Sequence, residues 1–249
     1  MSGHSKWSTI KHKKAALDAK RGKVFTRVIK ELTVSARVGG GDPGGNPRLR
    51  SAIAEAKAAN MPADNIKRAI MKGTGELPGV SYEDVVYEGY GPGGVAIYIE
   101  VLTDNKMRTT PEIRHVFTKH GGDLGQPNSV AWMFEKKGQF SIAGSAVTED
   151  RLMEVVLEAG ADDIQAADDM LEVTCASSVF GQVHDALEKA SIVPAQAKLA
   201  MLPTTVVELD AKKAGQCLKL LEILEDHDDV QNVYANLSFD DDAVSEAAS

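Results

Sequence analysis

The sequence predicts an α+β protein: an amino-terminal three-helix domain followed by two α/β domains, the last one ferredoxin-like and inserted into the middle one. Three observations carry this. Up to about residue 75 the apolar residues recur at helical spacing in a strongly basic segment. From Ser81 onward short strand runs alternate with helical runs. Within 138–204 the order of runs is β-α-β-β-α-β, the split βαβ pattern of ferredoxin-like domains. The domain limits that follow are 1–75, 76–133 with 205–240, and 134–204, with an acidic tail at 241–249.

The first helix is expected over Lys20–Val38. Val24, Phe25, Val28, Ile29, Leu32 and Ala36 share one side, and Lys20, Lys23, Arg27, Lys30 and Arg37 share the opposite one. Gly39-Gly40-Gly41 ends it. Asn46 is a good N-cap and Pro47 a good first residue for a second helix, Arg48–Asn60. A third helix starts at Pro62 and stops at Gly73, with Ile66, Ala69 and Ile70 inward and Lys67, Arg68 and Lys72 outward. Strands "DVVYEGYG" and "VAIYIEVLT" flank a Gly91–Gly94 turn. The run "RTTPEIRHVFTKHGG" reads as a helix capped by Thr110 and opened by Pro111, and "SVAWMF" reads as a strand. The inserted unit follows: strand "QFSIA", a helix capped by Thr148, strands "DIQAA" and "LEVTC", helix "VFGQVHDALEKA" and strand "KLAMLP". The remaining "TTVVELD", helix 211–225 and "VQNVYANL" cannot stand alone and complete the unit interrupted at 134.

The net charge of -8 conceals an asymmetry. Residues 1–75 hold ten Lys and six Arg against five acids, a net of +11, so the rest carries -19. Such a split points to a polyanion-binding module on a differently used body. No apolar run approaches the ~18–20 residues that span a bilayer, and the first residues lack the apolar centre of a secretory signal. The expectation is a cytoplasmic protein with no membrane partner. Cys175 and Cys217 sit in apolar-periodic runs and read as buried free thiols.

The stretch "GHSKWSTIKHKK" is too polar to form a core. Trp7 either docks it on the helical bundle or stacks on a base or ribose while the lysines meet phosphate. The loop "GGGDPGGNPRLR" reads either as a linker or as a phosphate cradle; it fits neither the Walker nor the Rossmann pattern. Arg48 and Arg50 in a helix's first turn oppose its dipole, which suggests an anion nearby. The candidate nucleic-acid-binding residues are therefore Lys6, Trp7, Lys11, His12, Lys13, Lys14, Lys20, Arg21, Lys23, Arg27, Lys30, Arg48, Arg50, Lys67 and Arg68.

Catalytic signals are weak. Asp104, Asn105 and Arg108 between a strand and a helix read as turn and capping chemistry. His115 and His120 diverge on a helix, and His184 and His227 are isolated. Asp162-Asp163 and Asp168-Asp169 read as turn residues with no third metal ligand at the needed spacing. No nucleophile elbow or triad is readable. The expectation is a non-enzyme with no metal, cofactor or small-molecule substrate; an enzyme with an unrecognised site in the cleft between domains is the last alternative.

The blocks "GHSKWSTIKHKKAALDAKRGKVFTRVIKEL", "GGDPGGNPRLRSAIAEAKAANMPADNIKRAI", "YEGYGPGGVAIYIEVLTDN", "HGGDLG" and "LEDHDDVQNVYANL" resemble the signature blocks of the YebC family and extend over essentially the whole chain. Two loops depart from the family pattern: Met107 stands where a polar residue is usual, and Pro127-Asn128 where a glycine-containing turn is usual. The resemblance implies three domains and a non-enzymatic regulator of gene expression in the bacterial cytoplasm. It also implies either of two partners. One is promoter DNA, as in the transcriptional-regulator label of the family. The other is ribosomal RNA on the ribosome, as in its mitochondrial translational activator and in bacterial relatives tied to proline-rich synthesis. An RNA-docking translation factor is the first expectation, because an irregular RNA surface is read by shape and phosphate position. The alternative, a DNA regulator, needs a recognition helix, and no helix-turn-helix spacing is evident in the sequence.

Overall fold

A computed structural model describes residues 21–239 apart from Asp168. Three helices come first: α1 Arg21–Gly39, α2 Pro47–Ala58 and α3 Ala63–Thr74. Each contributes one apolar side to a shared core of Val28, Leu32, Ala36, Leu49, Ala56, Ile66 and Ala69. The Asn46 side chain accepts from the Leu49 amide at 3.1 Å. Its own amide donates to the carbonyls of Ser35 at 2.7 Å and Gly40 at 2.9 Å. The cap therefore also pins the end of α1. Helices α1 and α3 approach so closely that a Cβ on Gly73 would lie 2.3 Å from the Thr33 carbonyl oxygen.

Next come β1 Glu83–Gly91 and β2 Val95–Thr103, an antiparallel hairpin paired from Glu83↔Thr103 to Gly91↔Val95. Helix α4 is Lys106–Lys119 and β3 is Asp123–Leu124. The chain then enters β4 Phe134–Ala143, α5 Glu149–Glu158, β5 Ala161–Ala167, β6 Met170–Ala176, α6 Phe180–Lys189 and β7 Gln196–Pro203. It closes with β8 Val207–Glu208, α7 Ala211–Glu225, β9 Val230–Ala235 and β10 Leu237–Ser238.

Two compact units result. One is Trp132–Val206; the other holds the described residues on either side of it, 21–131 and 207–239. The inserted unit is a four-stranded antiparallel sheet in the order β5-β6-β4-β7, the ferredoxin-like arrangement. Phe140, Ile142, Val173 and Cys175 of its sheet pack with Leu152 and Val156 of α5 and Val183 and Leu187 of α6. In the other unit the sheet order is β3-β1-β2-β9, with β8 and β10 as a separate parallel pair. Ile113 and Phe117 of α4 share a core with Cys217, Leu220, Leu221 and Leu224 of α7 and with Ile97, Ile99 and Val233. Both cysteines are free and buried. Burial pushes the Cys217 thiol up to about 12.

Three local expectations are corrected. Helix α4 begins at Lys106 with Asn105, not Thr110, as its cap; the Asn105 side chain accepts from the Arg108 amide at 3.1 Å. Pro111 lies inside the helix, where it forgoes one bond to the carbonyl of exposed Met107. Thr110 instead uses its hydroxyl on the Lys106 carbonyl and on Tyr87. Of the run 129–134 only Phe134, the first residue of β4, is strand. Buried Glu88 accepts the amides of Asn128, Val130 and Ala131 at 2.7–2.8 Å and folds the rest into a loop ending in a 3₁₀ turn, Ala131–Met133. Asn128 adopts φ 67°, a left-handed conformation that Asn tolerates, so it serves where a glycine is usual. The run 204–210 contributes only the two strand residues of β8.

Candidate nucleic-acid interface

The basic residues of the first domain divide by what already holds them. Lys6, Trp7, Lys11, His12, Lys13, Lys14 and Lys20 lie outside the described residues. Arg21 opens α1, and its side chain lies outside the description too.

Three cations of α1, at i, i+4 and i+7, meet the end of α7 and the turn after it. Lys23 Nζ donates to the Asp226 carbonyl at 2.9 Å and pairs with Asp226 Oδ1 at 3.0 Å. The Arg27 guanidinium donates to the Glu225 carbonyl. Lys30 Nζ bonds the Asp228 carbonyl at 2.9 Å and Asp229 Oδ1 at 2.7 Å, and lies 5.6 Å from the Tyr82 ring centroid. The last carbonyls of a helix lack intrahelical donors and carry the negative end of its dipole, so this terminus attracts cations. The correction to the sequence expectation is sharpest at Lys30, which is buried rather than on an open basic face.

Asp229 anchors the contact. Its second oxygen accepts from Thr109 at 2.7 Å, Arg108 at 2.6 Å and Thr103 at 3.2 Å. Burial alone would raise this carboxyl, but the bonds from Lys30, Thr109 and Arg108 prevail and hold it well below the ordinary carboxylate range. Asp104, Asn105 and Arg108 thus serve capping and pairing, with Arg108 also 3.2 Å from Asp104.

The two arginines of α2 are engaged as well. Arg48 forks onto Glu31 at 2.6 and 3.0 Å and reaches Asp84 at 3.0 Å, which raises its pKa through the Glu31 hydrogen bond despite partial burial. Arg50 donates to the Pro43 carbonyl at 2.9 Å and closes the glycine-rich loop onto α2. Lys67 and Arg68 of α3 are different. They are exposed, as are Lys57 of α2 and Lys72 of α3, and none of the four side chains has a hydrogen bond or ion pair among the described residues. Lys57 was not singled out in the sequence, because a lone lysine on an alanine-rich helix carries no signal until its neighbours are known.

Two of the four, Lys57 and Lys67, border an open groove of about 580 Å³ between α2 and α3; Arg68 and Lys72 are not among the residues that line it. Ile53, Ile66, Ile70 and Met71 line it, with Lys57, Lys67 and Glu76 also at its walls. The connection between the two helices is four residues, 59–62, with Asn60 at φ 57°. That is the connection length of a helix-turn-helix, a feature not evident in the sequence.

Elsewhere, two histidines gain neighbours that the sequence did not suggest. His227 Nε2 lies 3.1 Å from Glu112 Oε2. His184, Asp185 and Glu188 on α6 bring ligand atoms within 4.8 Å of one another, all exposed. No described helix is long and apolar enough to cross a membrane.

Comparison with known proteins agrees with this architecture. The TACO1/YebC N-terminal domain matches residues 5–76, and the TACO1/YebC second and third domain matches residues 82–237. A probable transcriptional regulatory protein of Desulfosudis oleivorans is 58% identical over 99% of this chain and 100% of its own length. One of Acidobacterium capsulatum is 57% identical over the whole of both chains. The crystal structure of a conserved hypothetical protein from Aquifex aeolicus superposes with a TM-score of 0.84 at 45% identity, covering 90% of this chain and 93% of that one. With both parts of the family matched in order and relatives aligned end to end, the chain belongs to the TACO1/YebC family.

Proposed function

We propose that this chain is a non-enzymatic regulator of gene expression that works in the cytoplasm by binding nucleic acid, and that its target is RNA on the ribosome. The observation that carries the reading is the set of partnerless cations on α2 and α3: Lys57, Lys67, Arg68 and Lys72. Lys23 and Lys30 of α1 answer carboxylates of the chain itself and Arg27 a carbonyl, whereas these four side chains have no such partner among the described residues. The lysine-rich stretch 6–14 would add a second basic element. Shape and phosphate position suffice for an irregular RNA surface. Assistance to proline-rich synthesis rests on family resemblance alone.

A second reading, a DNA-binding transcriptional regulator, is favoured by the names of the relatives and by the four-residue connection between α2 and α3. The experiment that separates them is co-sedimentation with ribosomes from a cell lysate at low and moderate salt, with and without residues 1–14. Salt-sensitive co-sedimentation that depends on residues 1–14 supports the RNA reading. Absence from ribosomes, together with a preference of ~10³ or more for one duplex over random duplex, supports the DNA reading.

A further inference from the structure

The groove between α2 and α3 offers more than charge. Its floor is aliphatic and includes the thioether of Met71, while Lys57 and Lys67 stand at its walls without partners. Glu76, the acid beside them, already accepts a hydrogen bond from Thr74 at 2.8 Å. A ligand matched to this arrangement is flat and apolar in its body and negatively charged at its flanks. A nucleobase with its two adjoining phosphates has that form. The groove's size falls within the ~300–1,000 Å³ of small-ligand sites, and a thioether packs favourably against an aromatic ring.

We propose that this groove holds one unstacked nucleobase of a single-stranded or looped nucleic acid, with Lys57 and Lys67 on the neighbouring phosphates. The proposal rests on the nucleic-acid reading above and narrows it, because a base inside a duplex must first leave its stack to enter. Ile53, Ile70 and Met71 are only half-buried, so they contribute floor to the groove without being the centre of the helical core.

The test uses the full chain and a twelve-nucleotide single-stranded RNA carrying 2-aminopurine at its centre, whose emission rises when the base leaves its neighbours. The same strand annealed to its complement is the control. The expected result is an emission rise on binding, with the single strand bound ~10-fold or more tightly than the duplex. Met71→Gln should abolish the rise while binding persists through the cations. Lys57→Gln with Lys67→Gln, two surface changes that leave the core intact, should weaken binding ~10-fold or more. Urea midpoints of both variants confirm folding. Equal affinity for single strand and duplex with no emission change would overturn the groove assignment and leave the nucleic-acid reading standing. Failure to bind either strand at low salt would overturn both. Binding of an acidic amphipathic peptide that is lost in Met71→Gln, with the RNA unaffected by that change, would assign the groove to a protein partner instead.

Discussion

Replacing Asp229 by Asn tests how the three-helix bundle is fastened to the sheet. The Asp229 and Lys30 side chains are 4% and 8% exposed and 2.7 Å apart. The substitution keeps an acceptor for the hydroxyls of Thr103 and Thr109 but strands the ammonium of Lys30 in the protein. Breaking a buried pair by removing one charge costs roughly 3–5 kcal/mol, whereas removing both charges is often near neutral. Lys30 retains the carbonyl oxygens of Asp228 and Leu102, which places the expected loss at the lower end, about 3 kcal/mol. The double change Lys30→Met with Asp229→Asn should then recover more than half of it. Urea denaturation followed by far-UV circular dichroism measures all four corners of the cycle. The pH dependence has a definite sign. A carboxyl held below its ordinary value of 3.8 in the folded state stabilises fully above that value. Its contribution is lost as the pH falls from there through the lower folded value. Wild type should therefore lose stability more steeply than Asp229→Asn below about pH 4. A single variant within ~1 kcal/mol of wild type, or two substitutions that simply add, would refute the reasoning.

Other outcomes follow from the same geometry. Gly73→Ala would drive a methyl into the Thr33 carbonyl and the Ala36 side chain, and should cost ~1–3 kcal/mol in urea denaturation. Glu88→Gln removes a charged acceptor of three amides, and should cost ~1.5–3 kcal/mol with hydrogen exchange quickening first at residues 128–131. Neither Cys175 nor Cys217 should react with a thiol reagent at neutral pH until the chain is unfolded, since both are buried and burial raises both thiols.

What the sequence disclosed, and what it withheld, follows from the range of each interaction. Asn46, Thr148 and the Ala211–Glu225 helix were legible because a cap bonds an amide three residues away. The ferredoxin-like unit was legible because order and alternation alone prescribe its sheet. Residues 129–133 were misread because Glu88, about forty positions earlier, decides their conformation. Helix α4 was misread because Pro111 is a strong start signal, and an equally good cap at Asn105 opened the helix one turn sooner. The basic face of α1 shows the limit most plainly. Periodicity places Lys23, Arg27 and Lys30 opposite the apolar stripe, but it does not say that carboxylates and carbonyls some two hundred residues later will meet them. The run "LEDHDDV" at the end of a helix was the available signal, since a helix terminus followed by acids needs cations.

The central claim is that the α2–α3 cations meet phosphate. Its most direct test is the salt dependence of RNA affinity for wild type and for a variant with Lys57, Lys67, Arg68 and Lys72 all changed to Gln. The logarithm of affinity falls with the logarithm of salt at a slope of about -0.7 per phosphate neutralised on a single strand. Loss of four contacts should flatten the slope by roughly 2.8. A variant with the slope and affinity of wild type would contradict the account, and would move the nucleic-acid contact away from α2 and α3.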